Sequence, residues 1–99
     1  MNEQPSQVAV LVEGMRKAID SFEEGSLTID RMAWELKSRI AAMRQVADKA
    51  WVDELKAIWN HLEVINAFFI ESGRNVLSGD ERNEVDQVLD EFRAAITAY

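Results

Sequence analysis

Chemistry has few places to reside in this chain. There is one histidine and no cysteine, which excludes a disulfide framework, thiolate zinc sites and a cysteine nucleophile together. His61 falls in an apolar arc near Glu54 and Phe68. A base or metal ligand there would have only carboxylates for company, none at a recognised ligand spacing. It reads better as a partly buried, hydrogen-bonded structural histidine. Glu63, between Trp59 and Asn66, has aromatic company of the kind that suits a general acid. No second group gives it a task, so it reads as holding a neighbouring helix through a hydrogen bond or an ion pair. No GxGxxG, P-loop, GxSxG or HExxH pattern occurs. The expectation is a chain that is not an enzyme and carries no cofactor and no metal.

What remains is charge and aromatic surface. The balance is 11 basic against 18 acidic residues, net -7. Phosphate backbones are repelled by such a surface, so direct nucleic-acid binding is not expected, and a basic protein partner is attracted. The charge is uneven: residues 26–50 carry net +2 and residues 78–99 net -4. In the last segment Glu84, Asp86, Asp90 and Glu91 accompany Asp80 and Glu81, against only Arg82 and Arg93. Much of that acid lies opposite an apolar stripe. It serves either as a solubilising face or as a docking face for a basic partner. Trp51 and Trp59 lie in an apolar arc and read as core. Trp34 stands off the main stripe of its helix, at the edge of the core or in an interface, where Trp is enriched among hot spots.

The elements that must position these residues are helices. Gly occurs four times and Pro once, and apolar residues recur at spacings of three and four. A first helix is expected over 6–24, capped by Ser6 and stopped by Gly25. A second spans 28–46, with Thr28 as cap and Ile29, Met32, Leu36, Ile40 and Met43 as its stripe. The third spans 48–72, with Asp48 as cap and Gly73 as stop. Trp51, Leu55, Ile58, Leu62, Ile65 and Phe69 form its seam, and Ala57, Val64, Phe68, Trp59 and Ile70 add further apolar flanks. A helix apolar over most of its girth is a central one touching several neighbours. The fourth spans 79–98. Ser78 and Glu81 have capping-box spacing, and Val85, Val88, Leu89, Phe92, Ile96 and Tyr99 face inward. The boundary near Val46 is soft, since no Gly or Pro separates it from Ala50, but Asp48 favours a break.

The class is therefore all-α: a compact bundle of about four helices with the third central, in one domain. At 47% hydrophobic and 29% charged the chain is too apolar to stay disordered. Residues 1–6 lack the basic start and apolar run of a secretory signal. No apolar run approaches the roughly 20 residues that span a bilayer. A cytoplasmic location and no membrane partner are expected, as a monomer or a homodimer.

Gly25-Ser26-Leu27 before a helix, then Trp51, Leu55, Trp59, Leu62-Glu63, then Leu77 and an acidic helix bearing Val85 and Leu89, resembles small all-helical immunity proteins. These accompany contact-dependent growth-inhibition and other polymorphic toxin systems. The similarity covers roughly residues 20–95 and is a spacing of apolar and aromatic residues without a residue signature. The resemblance implies a cytoplasmic inhibitor that binds a cognate toxin domain, often a nuclease with a basic substrate groove, and blocks its active site. The alternative is a structural or oligomeric helical protein whose second and third helices pair through surplus apolar surface.

Overall fold

The computed structural model describes residues 6–98, which form four helices in an up-down-up-down bundle measuring 51 × 26 × 19 Å. They are α1 (Gln7–Glu23), α2 (Ile29–Met43), α3 (Lys49–Ser72) and α4 (Gly79–Thr97). Each helix starts where a side chain takes over an orphan backbone donor. Ser6 accepts from the Ala9 amide, Thr28 from Arg31, Asp48 from Trp51 and Ser78 from Glu81. Ser78 and Glu81 close a reciprocal capping box, with the Glu81 carboxylate accepting the Ser78 amide at 2.8 Å. Gly25 and Gly73 stand at φ of 86° and 71°, the left-handed region that glycine enters without strain.

The expected break between the second and third helices is present, but α2 ends at Met43 rather than Val46. The amides of Val46 and Ala47 turn back onto the Met43 carbonyl at 3.0 and 2.9 Å. Asp48 then restarts the helix. With no glycine available, a tightened last turn satisfies the chain end.

One stripe of each helix meets in a shared core. Met15 and Ile19 of α1, Met32 and Leu36 of α2, Leu55 and Leu62 of α3, and Leu89 and Phe92 of α4 are almost wholly buried. Two indole groups pin the packing. Trp51 Nε1–H donates to the Ala95 carbonyl at 2.9 Å, tying the start of α3 to the end of α4. Trp59 Nε1–H donates to the Ala33 carbonyl at 2.8 Å, tying α3 to α2. Asn66 is buried and donates to Asp30 at 3.3 Å, while its Oδ1 has no partner among the described residues.

The ring of helices closes weakly between α1 and α4, and there the contact is ionic. Arg93 of α4 holds both Asp20, at 2.8 Å, and Glu23, at 2.5 Å, on α1. Hydrogen bonding to Arg93 holds the Glu23 carboxyl below its usual value, and Arg93 is pushed up in return. Arg16 of α1 reaches Thr97 at 3.2 Å.

Three expectations need correction. α3 packs on α2 and α4 but not on α1, and of its extra apolar flanks Trp59 meets α2 while others find no helix. Val64, Phe68 and Ile70 are 52%, 66% and 58% exposed. His61 is exposed rather than partly buried, and makes no hydrogen bond to a described residue. Glu63 is half-buried, but neither a hydrogen bond nor an ion pair joins it to a described residue. Tyr99, expected in the core, lies outside the described residues, as do residues 1–5.

Candidate partner-binding surface

α3 and α4 run side by side, and two hollows along their outward seam together form a groove. On α3 the residues lining it are Glu54, Ala57, Ile58, His61, Val64, Ile65 and Phe68. These recur at three and four, so one face of the helix stays aligned over four turns. On α4 the groove takes Glu81, Glu84, Glu91, Ala94, Ala95 and Ala98. One end holds Phe68 and Val64 with His61 and Glu84. At the other end the α4 alanines lower the wall and leave Ile58 half-exposed between Glu54 and Glu91.

The acid of α4 does not form one face. Glu84 and Glu91, seven residues apart, line the groove beside α3. Asp86 lies on the opposite flank, paired with Arg82 at 3.3 Å. The Arg82 guanidinium sits 4.8 Å over the Phe22 ring of α1, so that flank faces α1. Asp90 follows Asp86 by one turn and shares its side. Trp34 is elsewhere again. It is on α2, which stands diagonal to α4 without close approach. Its ring is 54% exposed and carries the Arg31 guanidinium at 4.9 Å. Of the five residues expected to bind a partner, Glu84 and Glu91 therefore lie on the α3 side of α4, Asp86 and Asp90 on its α1 side, and Trp34 on α2.

The two flanks also differ in neutralisation, although Asp90 on the α1 flank pairs with no cation among the described residues. Arg82 covers Asp86, and Arg93 covers Asp20 and Glu23. On the groove side Glu81 is taken: Arg74 at 2.7 Å and the Ser78 amide hold its carboxyl down to about 2. Glu54, Glu84 and Glu91 have no cationic partner among the described residues. Free carboxylates therefore rim exposed apolar side chains, an arrangement suited to binding. The His61 side chain makes no hydrogen bond to a described residue. Among the described residues no group of three or more His, Asp or Glu is placed to hold a metal ion. No helix among them is long and apolar enough to cross a membrane.

Val64, Phe68, His61 and Glu54 are the residues that sequence reasoning assigned to the interior or left without a role. A signal for them existed in the surplus of apolar positions on α3. Spacing reveals a stripe but not whether a helix covers it. No family model, no curated protein and no solved structure matches this chain.

Proposed function

We propose that this chain is a stoichiometric inhibitor that binds a basic protein domain through the α3–α4 groove, as an immunity protein binds a toxin. The observation that carries this reading is the conjunction of unneutralised Glu54, Glu84 and Glu91 with exposed Val64 and Phe68 on one seam. The apolar floor supplies affinity by leaving water, and the acidic rim supplies attraction and rejects acidic competitors. A basic segment laid in the groove sets its apolar side chains against Phe68 and Val64 and its Lys or Arg against Glu84, Glu91 and Glu54. In the finer form of the proposal the partner is a toxin domain, a nuclease whose substrate groove is basic. The inhibitor occupies that groove in the cytoplasm of the producing cell and is not itself an enzyme. Asp86 and Asp90 then keep α4 soluble, and Trp34 is not required.

The self-pairing alternative also draws on exposed apolar surface. A two-fold dimer through the same groove, however, sets one copy's acidic rim against the other's, which costs repulsion at each contact. That asymmetry favours a basic partner over a second copy.

The test is genetic context and protection. The chain is co-expressed with the C-terminal domain of the protein encoded immediately upstream. The proposal expects that domain to be lethal alone, harmless with this chain, and co-purified with it one to one. If it is lethal in both settings, or if no complex survives gel filtration at low salt, the reading fails.

A further inference from the structure

A second surface lies between α2 and α3, away from the acidic groove. It is a cleft of about 160 Å³ lined by Lys37, Ile40, Ala41 and Arg44 of the α2 side and by Lys56 and Trp59 of α3. Six of the chain's eleven basic residues form ion pairs, namely Arg31, Arg39, Lys49, Arg74, Arg82 and Arg93, and Arg16 bonds to Thr97. The side chains of Lys17, Lys37, Arg44 and Lys56 pair with no carboxylate among the described residues, and three of those four line this one cleft. Three of the five cations that pair with no carboxylate among the described residues thus stand in a single place. Like charges so placed repel one another, and an anion seated among them relieves that repulsion.

The floor is apolar and held in place. Ile40 is buried, and the Trp59 ring is fixed by its Nε1–H bond to the Ala33 carbonyl, leaving a face toward the cleft. Lys37 Nζ stands 5.7 Å from the centre of that ring. A cavity of about 150 Å³ accepts one benzene ring, so the volume suits a single aromatic ring against Trp59 and Ile40. The Arg44 fork matches a carboxylate or phosphate in geometry, and the two lysines add point charge.

We infer that the Lys37–Arg44–Lys56 cleft binds a small aromatic anion, an aryl carboxylate or aryl phosphate, with the ring on Trp59 and the anionic group among the three cations. The site is independent of the acidic groove. The three tryptophans make the test internal: Trp59 lines the cleft, Trp51 is buried elsewhere, and Trp34 is exposed outside it, about one to three turns along α2 from the lining residues. Phenyl phosphate and benzoate are titrated while the three indole N–H signals are followed by NMR. The Trp59 signal should move saturably, with a Kd of about 1 mM or tighter, while Trp51 and Trp34 stay still. Inorganic phosphate, with charge but no ring, and benzyl alcohol, with ring but no charge, should each bind at least about fivefold more weakly. Lys37→Gln with Lys56→Gln should weaken phenyl phosphate binding about tenfold or more, with the Trp51 signal unmoved to show that the fold is intact. The inference is overturned if Trp59 does not titrate, if benzyl alcohol or inorganic phosphate matches phenyl phosphate, or if the double variant binds as well as the parent.

Discussion

Phe68→Ala separates a docking surface from a core more sharply than any other single change, with Leu62→Ala as its counterpart on the same helix. Leu62 is 1% exposed. Its truncation loses transfer energy and leaves a cavity, at about 2.7–5.0 kcal/mol. A domain of this size loses about 4–8 °C of Tm per kcal/mol, so the melting point should fall by at least about 10 °C. Phe68 is 66% exposed. A phenylalanine offers about 150–250 Å², so about a third of that is covered in the free protein. Its loss should cost about 1–2 kcal/mol at 25 cal/mol per Å², an upper bound because the unfolded chain also covers some of it. The exposed two thirds is what a partner would cover. Allowing for what alanine retains, that is worth about 2–3 kcal/mol, or about thirty- to a hundredfold in Kd. The assay is a thermal melt of both variants beside calorimetric titration with the cognate domain. If Phe68→Ala melts as low as Leu62→Ala, the ring belongs to the core and the groove has been misassigned. A variant that melts normally and binds with unchanged affinity would refute the docking role instead.

Three further outcomes follow from the fold itself. Arginine hydrogen bonds hold Glu23, Glu35 and Glu81 below their ordinary value of 4.5, with Glu81 at about 2. Groups lowered in the folded state lend stability above their unfolded pKa, and that stability is lost as pH falls through the folded one. The Tm should therefore decline progressively from about pH 4.5 toward pH 2, and Glu81→Gln should flatten the lower part of that decline. Ser78→Ala removes the acceptor for the Glu81 amide and should cost about 0.5–2 kcal/mol in urea unfolding. Asn66→Leu removes a buried amide whose Oδ1 has no partner among the described residues and should raise stability by about 1 kcal/mol. An equal loss would mean that the bond to Asp30 outweighs the orphaned oxygen.

The helices and their ends were legible because their causes are local. Ser6, Thr28, Asp48 and Ser78 each bond to an amide three residues on, and such a cap is visible in sequence. The inward stripes were legible for the same reason: Met32, Leu36 and Leu62 are buried as their spacing requires. The candidate surface was legible only in part. Acid density singled out α4, but not that its Arg93 turns away from that acid to Asp20 and Glu23 of α1, Glu23 being seventy residues away in the chain. Spacing within one helix carries no information about such a pair. Phe68 and Val64 were placed inside because an apolar residue on a rich helix reads as covered. Whether it is covered depends on how many helices reach that side, and α1 does not. The α2–α3 cleft was hidden likewise, since Lys37 and Lys56 become neighbours only through the register of two helices.

The most direct test of a groove that captures a basic domain compares two double charge reversals on α4. Glu84→Lys with Glu91→Lys changes the side facing α3, and Asp86→Lys with Asp90→Lys changes the side facing α1. Both pairs lie mainly in water, so each single change should shift stability by about 0.5 kcal/mol or less, and the Asp86 pair slightly more through Arg82. Association rates with the cognate toxin domain are measured by stopped flow at low and high salt. The groove pair should slow association about tenfold or more at low salt and flatten its salt dependence, while the α1-side pair stays near the parent rate. Equal slowing by both pairs, or slowing by the α1-side pair alone, would contradict docking through the α3–α4 groove.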